Sequence, residues 1–135
     1  MDMNILLVED EKRQYDTFEM VLKELNSKHP LKVHWAQKDE EVLKVANEKR
    51  FDLVFMDIGL KDSQMDGIAL TRYLKKELRK NWPIIIFSIS RNEEDKEAAI
   101  AAGADQYLSK PYGYMEMLIS LGDLISKAQR GELAL

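Results

Sequence analysis

The sequence is most informative at first through what it lacks. It has no cysteine among 135 residues, which excludes disulfides and thiolate metal or redox sites. It has no basic run and a formal net charge of -4, which disfavours nucleic-acid binding because such binding depends on Lys and Arg neutralising phosphates. Its apolar runs are too short to span a membrane or serve as a signal peptide. We therefore expect a cytoplasmic protein that contacts neither nucleic acid nor membrane directly.

The composition that is present is that of a globular protein. Hydrophobic residues make up 45% of the chain and charged residues 33%, which argues against disorder and against a fibrous repeat. This length suits one compact domain with a substantial core. We expect a single domain over residues 1–130, followed at 131–135 by a tail or the start of a linker.

Short apolar runs alternate five times with longer stretches of helical periodicity. This alternation is typical of βαβ units, so it predicts an α/β fold with a parallel sheet. The third and fourth runs are almost continuously apolar and should be central, since a parallel sheet covered on both faces has buried strands. The expected strands are Asn4 to Val8, Leu31 to Trp35, Leu53 to Met56, Ile84 to Phe87 and Gln106 to Leu108.

Several helix ends can also be predicted. Asp39 is a plausible N-cap of the second helix, and the third helix follows Gly67. Asn92 is a good N-cap for the fourth helix, which should stop at Gly103. That helix offers only Ile100 as a large residue for burial, so we expect it to be loosely packed.

The fifth helix, from about Tyr114 to Ala128, carries two apolar sets. The set expected to face the core comprises Met115, Leu118, Ile119 and Ile125. The second set comprises Met117, Leu121 and Leu124. Either the helix is buried on most of its circumference or the second set forms a face that binds a partner.

Acidic residues follow two of the expected strands. Glu9 and Asp10 come directly after the first strand and Asp57 after the third. In an open α/β sheet, ligands bind beyond the carboxyl ends of the strands, where these side chains would meet. Three clustered carboxylates stay ionised at low cost only around a cation, and oxygen ligands suit Mg2+ or Mn2+ rather than zinc.

The two remaining strand ends add a hydroxyl and an ammonium group. Ser88 ends the fourth strand and Lys110 follows the fifth. A metal-binding acid cluster, a carboxylate, a hydroxyl and an ammonium group together meet the requirements of phosphoryl transfer, which are positioning and charge neutralisation. Asp57 would be the nucleophile, Lys110 and the metal would neutralise phosphoryl oxygens, and Ser88 would donate a hydrogen bond to one of them.

The segments ILLVED, LVFMD, PIIIFS and YLSKP, with the Met-Asp-Gly at residues 65–67, resemble the response-regulator receiver family of two-component signalling. The resemblance covers nearly the whole chain. It implies a flavodoxin-like, doubly wound sheet of order 2-1-3-4-5 with helices on both faces. It also implies that Asp57 is the phosphoacceptor, that Asp10 binds Mg2+ directly and Glu9 through water, and that the Gly59 carbonyl is a third protein ligand.

Further roles follow from the same resemblance. Ser88 occupies the place of the switch hydroxyl, Tyr107 that of the switch aromatic, and Pro111 should follow a cis bond. The phosphoryl donor would be a histidine kinase or a histidine phosphotransfer protein. A downstream protein or a second copy of the chain would bind at helix 4, strand 5 and helix 5. Such a domain is a phosphoacceptor that assists its own phosphorylation and dephosphorylation, not an enzyme in the ordinary sense.

Two departures from the family pattern leave an alternative open. The segment after Asp57 lacks proline and is about two residues longer than usual, and Ile89 stands where the family prefers a small residue. A degenerate receiver that binds partners without phosphorylation is therefore the second hypothesis. A metal-dependent hydrolase is disfavoured because Gly59, two residues beyond Asp57, supplies no second acid or base.

Overall fold

Five strands and five helices alternate along the chain in the computed structural model, which describes residues 2–28, 30–110 and 113–133. The third helix continues into a π-helical turn, Tyr73–Glu77. The strands are β1 (Met3–Val8), β2 (Leu31–Ala36), β3 (Leu53–Met56), β4 (Ile84–Ser88) and β5 (Gln106–Ser109). The helices are α1 (Lys12–Asn26), α2 (Asp39–Glu48), α3 (Gly67–Arg72), α4 (Glu93–Ala102) and α5 (Tyr114–Gln129).

The strands form one parallel sheet of order β2-β1-β3-β4-β5, as predicted. Val8 at the end of β1 pairs with Ala36 on one side and with Met56 on the other. Ser88 pairs with Ser109 at the end of β5. The carboxyl ends of the strands therefore meet at one edge of the sheet.

Helices cover both faces of the sheet. Alternation along β3 shows the division, because successive side chains of a strand point to opposite faces. Leu53 and Phe55 belong to the core beneath α1 and α5, whereas Val54 and Met56 belong to the core beneath α2, α3 and α4. All four side chains are at most 1% exposed, which explains the nearly continuous apolar character of this strand.

The buried face of α5 differs from the prediction. Met115 and Ile119, expected in the core, are 62% and 69% exposed. Leu118 is only partly buried, and Ile125 alone of the predicted inward set is fully buried. The residues that join it in the core are the second apolar set, Met117, Leu121 and Leu124. Both sets satisfy helical spacing, so only packing against the sheet decides which one is buried.

Helix α4 confirms its predicted ends but not its predicted burial. The Asn92 side chain accepts a hydrogen bond from the Glu94 N–H, and Gly103 ends the helix in the left-handed region at φ 107°. Ile100 is 48% exposed, however, and the buried positions are Ala99 and Ala102. The buried side of α4 therefore consists of small side chains, which let the helix lie close to its neighbours.

Two further observations concern the chain as a whole. No helix in the part of the chain that the structure describes combines the length and apolar character needed to cross a membrane. Leu133, beyond α5, is 5% exposed and packs in the core shared by α1 and α5. Pro111, for which a preceding cis bond was predicted, lies outside the described residues.

Candidate functional site

A cleft of about 520 Å3 opens at the carboxyl edge of the sheet. Its polar lining comes from the end of β4 and from the residues that follow β1, β3, β4 and β5. Six of the seven predicted site residues line it: Glu9, Asp10, Asp57, Gly59, Ser88 and Lys110. The parallel register therefore brings together groups that are up to 101 positions apart in the sequence.

Three carboxylates meet in this cleft. One oxygen each of Glu9, Asp10 and Asp57 lies within 4.8 Å of the others. Backbone hydrogen bonds extend the sheet to two of these residues, because the Glu9 N–H donates to the Ala36 carbonyl at 3.0 Å and the Asp57 N–H to the Val8 carbonyl at 3.0 Å. Like charges this close repel one another, so the arrangement favours a cation among them.

Lys110 places its ammonium group against this cluster. Its Nζ lies 2.7 Å from Glu9 Oε1 and 3.6 Å from Asp57 Oδ1, and it also contacts Gln14 Oε1. The lysine side chain is 11% exposed and that of Glu9 is 2% exposed. The ion pair is therefore nearly dry, and the lysine compensates part of the negative charge of the cleft.

Glu9 is the titratable group most perturbed by this environment. Burial raises the pKa of Glu9 from 4.5 to about 7, against the lowering effect of the hydrogen bond from Lys110, and the Asp57 charge raises it further. Near neutral pH, Glu9 is therefore partly protonated when no metal is bound. A bound cation would favour the ionised form.

Ser88 and Tyr107 meet the same short loop after β4. Ser88 is 4% exposed, and its Oγ accepts a hydrogen bond from the Ser90 N–H at 3.2 Å. The hydroxyl of Tyr107 donates to the Ser90 carbonyl at 2.9 Å. The half-buried Tyr107 ring packs against the core beneath α2, α3 and α4, so the carboxylate cleft and this face of the sheet both contact the same loop.

The segment between β3 and α3 is the longer loop noted in the sequence. Asp10 Oδ2 accepts a hydrogen bond from the Lys61 N–H of this loop at 2.7 Å, and Leu60 is buried in the core. A Cβ atom at Gly67 would lie 1.8 Å from the Asp57 carbonyl oxygen. Only glycine permits this approach of α3 to the end of β3.

Ile89 stands at the rim of the cleft. Its side chain is 73% exposed. It lines both the carboxylate cleft and a neighbouring, mainly apolar cavity of about 310 Å3 that α1, β4 and α5 border. The Ile89 side chain therefore lies between the two cavities at the surface of the protein.

The contacts of two residues, one in the cleft and one behind its loop, were not anticipated from the sequence. Gln14 touches Lys110, and its position in the first turn of α1, four residues after Asp10, is the signal that could have shown it. Asp39 is the second, and its predicted role was wrong. Lys38 holds the N-cap position of α2, while the Asp39 carboxylate accepts hydrogen bonds from backbone N–H groups of the loop after β3.

Comparison with known proteins agrees with this geometry. The sequence model of the response regulator receiver domain matches residues 5–121. The KDP operon transcriptional regulatory protein KdpE of Escherichia coli (strain K12) is 36% identical over 117 residues, which cover 84% of this chain and 47% of that protein. The cell cycle transcriptional regulator CtrA of Caulobacter vibrioides (strain NA1000 / CB15N) is 30% identical over 127 residues, or 94% of this chain and 52% of that protein.

A solved structure shows the same fold. The beryllofluoride-activated receiver domain of DrrB superposes with a TM-score of 0.74 at 25% identity, covering 93% of this chain and 99% of that one. The chain belongs to the response regulator receiver domain family. It is a receiver domain of two-component signalling, and it spans about half the length of the two regulators named above.

Proposed function

We propose that Asp57 accepts a phosphoryl group from a phosphohistidine of a histidine kinase or a histidine phosphotransfer protein, with Mg2+ bound in the cleft. The observation that carries this proposal is the meeting of three carboxylates within 4.8 Å, with the Lys110 ammonium group 3.6 Å from Asp57. Phosphoryl transfer depends mainly on positioning and charge neutralisation, which this arrangement supplies.

The residues of the cleft fit a hard divalent cation. Glu9, Asp10 and Asp57 offer carboxylate oxygens, and the Gly59 carbonyl would complete the set, with Mn2+ as an alternative metal. When bound, the metal would neutralise charge on the transferring phosphoryl group. Water would mediate the contact of Glu9, which is held by Lys110.

The proposed reaction forms one bond and breaks one. A carboxylate oxygen of Asp57 attacks phosphorus, and the phosphorus–nitrogen bond to the imidazole of the donor breaks. The product is an acyl phosphate on Asp57 and a histidine that takes a proton from solvent. Lys110 and Ser88 would contact phosphoryl oxygens, so Lys110 would exchange its Glu9 partner for the phosphoryl group.

The switch would run through the loop that Ser88 and Tyr107 share. Movement of Ser88 toward the phosphoryl group pulls on the Ser90 backbone, whose carbonyl accepts the Tyr107 hydroxyl. Tyr107 would then turn inward and shift α4, which buries only small residues. A downstream protein or a second copy of this chain would read the change at α4, β5 and α5.

A degenerate receiver that binds partners without phosphorylation is the second candidate. The exposed Ile89 at the rim of the cleft and the longer loop after β3 favour it. Both features narrow or reshape the approach to Asp57 but leave every residue of the proposed chemistry in place.

Incubation with acetyl phosphate and Mg2+, followed by intact mass measurement, separates the two. We expect a mass gain of one phosphoryl group that disappears in Asp57→Asn and persists in Asp62→Asn, a control at an exposed aspartate of the same loop. Beryllofluoride should change the fluorescence of Trp35, whose ring N–H donates to the Glu9 carbonyl at 2.7 Å. A parent protein that shows neither change is a binding module.

A further inference from the structure

Asp39, at the start of α2, does not line the carboxylate cleft but hydrogen-bonds to the loop between β3 and α3. The residue is 5% exposed. Its Oδ2 accepts hydrogen bonds from the Gln64 N–H at 2.9 Å and from the Met65 N–H at 3.1 Å. Its Oδ1 accepts the Glu40 N–H at 2.8 Å. A buried carboxylate thus holds two consecutive amides of the loop.

The contact between α2 and the loop runs in both directions. The backbone N–H of Asp39 donates to Ser63 Oγ at 2.9 Å, so a loop side chain satisfies one of the unpaired amides at the start of the helix. We call the contacts of Asp39 with Ser63, Gln64 and Met65 the α2 clamp. It comprises three hydrogen bonds between elements that are separated by more than 20 positions in the sequence.

The clamp lies one residue from the part of the loop that borders the cleft. Asp62, in the left-handed region at φ 59°, separates Ser63 from Lys61. The Lys61 N–H donates to Asp10 Oδ2, Leu60 is anchored in the core, and Gly59 lines the cleft. The segment 59–61 is therefore anchored at its centre by the buried Leu60 and followed, two residues after Lys61, by the clamp at Ser63.

We propose that Asp39 is a positioning residue for the metal-binding site, which fixes the β3–α3 loop so that Lys61 orients Asp10 and Gly59 stays at the cleft. This inference rests on the Mg2+-dependent phosphorylation proposed above. It assigns a function to the extra length of the loop, because a longer loop needs an additional anchor to present its residues in one conformation.

The physical argument concerns the cost of ordering. Without the clamp, residues 61–65 would sample many conformations, and metal binding would have to select one of them. Groups that orient metal ligands typically change metal affinity by about 10- to 100-fold when removed. Asp39 acts on a ligand through one further hydrogen bond, so we expect about a tenfold effect, the lower end of that range.

The charge of Asp39 is part of the interaction. Burial raises its pKa, but the hydrogen bonds from Met65, Gln64 and Glu40 outweigh that effect, and the pKa of Asp39 is lowered overall. The carboxylate is therefore the form that holds the loop. Asparagine keeps one acceptor oxygen and the shape of the side chain, so it should retain part of the clamp.

Mg2+ titration of the unphosphorylated protein tests the proposal, with Trp82→Phe as the parent so that Trp35 is the sole tryptophan. Asp39→Ala should raise the Mg2+ dissociation constant about tenfold and Asp39→Asn about threefold. At saturating Mg2+ the maximal rate of acetyl phosphate labelling should return to within twofold of the parent, because the reacting groups are unchanged. A general loss of structure would instead lower both the Mg2+ affinity and the maximal labelling rate at saturating Mg2+.

Asp52→Ala is the matched control. The Asp52 carboxylate also accepts a hydrogen bond from a backbone N–H of another element, that of Asn4 at 2.8 Å. Asp52 lies between α2 and β3, however, at the opposite edge of the sheet from the cleft. The Mg2+ affinity of this variant should equal that of the parent within twofold. Equal weakening in Asp52→Ala, or labelling that stays low at saturating Mg2+ in Asp39→Ala, would overturn the proposal.

The outcomes also separate this inference from the proposed function. If the parent binds Mg2+ and is labelled but both Asp39 variants keep its affinity, the positioning role alone is wrong. If the parent neither binds Mg2+ nor accepts a phosphoryl group, the proposed function fails and the positioning role fails with it. Should Asp39→Ala not fold, as judged by circular dichroism, Asp39→Asn decides between these outcomes.

Discussion

The Lys110 ammonium group lies 2.7 Å from Glu9 Oε1 and only 3.6 Å from Asp57 Oδ1, so the lysine at the end of β5 is paired more closely with Glu9 than with the proposed phosphoacceptor. In this state the lysine compensates the negative charge of the cluster mainly at Glu9, which is buried. Phosphorylation would then require Lys110 to change partners, which couples the charge state of Glu9 to the chemistry at Asp57.

Stability and metal affinity should depend on pH through Glu9. The folded-state pKa of Glu9 is raised from 4.5 to about 7. Protonated Glu9 therefore stabilises the metal-free protein, and this contribution to the free energy of unfolding is fully present below pH 4.5 and is lost as pH rises through 7. The loss amounts to roughly 3 kcal/mol in the free energy of unfolding. Denaturant unfolding in chelator, from pH 4.5 to 8, measures it.

Mg2+ should act in the opposite sense, because it binds the ionised carboxylate. The affinity of the protein for Mg2+ should rise about tenfold from pH 6 to pH 8, because the ionised fraction of Glu9 grows over this interval. Glu9→Gln removes the titrating group, and its Mg2+ affinity should change little over this interval. A parent whose affinity is the same at both pH values contradicts the assignment.

Ile89 should slow the access of the phosphoryl donor and of water to Asp57. Because the side chain stands at the rim of the cleft, we expect Ile89→Ala to increase both the rate of labelling by acetyl phosphate and the rate of dephosphorylation, each by a few-fold. Ile100→Ala is the control, since Ile100 is a second exposed isoleucine, on α4. Rates in Ile89→Ala that equal those of the parent would remove the hypothesis.

The buried face of α5 can be tested by a pair of substitutions two positions apart. Leu121 is fully buried, so Leu121→Ala should lower the free energy of unfolding by about 2–5 kcal/mol. Ile119 is 69% exposed, and Ile119→Ala should change it by less than about 0.5 kcal/mol. Urea denaturation of both variants measures the difference. The reverse order would support the orientation that was predicted from the sequence.

The strands and the candidate site residues could be predicted because both depend on local signals, whereas the strand order was taken from the resemblance to the receiver family. Apolar runs ending in Asp57 or Ser88 identify buried strands, and the parallel arrangement then places their carboxyl ends together. The orientation of α5 could not be predicted, because Ile119 and Leu121 lie in two apolar sets with equally good helical spacing. Choosing between them requires the packing of α5 on the sheet and α1.

The role of Asp39 was hidden for a related reason. A carboxylate at the start of a helix is most often an N-cap, because it accepts hydrogen bonds from the free backbone N–H groups of the first turn. Its actual partners, Gln64 and Met65, lie 25 and 26 positions away. Contacts at such separations depend on the path of the loop after β3, which no local pattern in the sequence reveals.

The measurement that most directly tests the central claim is the location of the acyl phosphate. Borohydride reduces an aspartyl phosphate to homoserine, so peptide mapping of the protein after labelling with acetyl phosphate and Mg2+ identifies the phosphorylated residue. We predict homoserine at position 57 and at no other aspartate. Labelled protein in which Asp57 is recovered unchanged, with homoserine at another position, would contradict it.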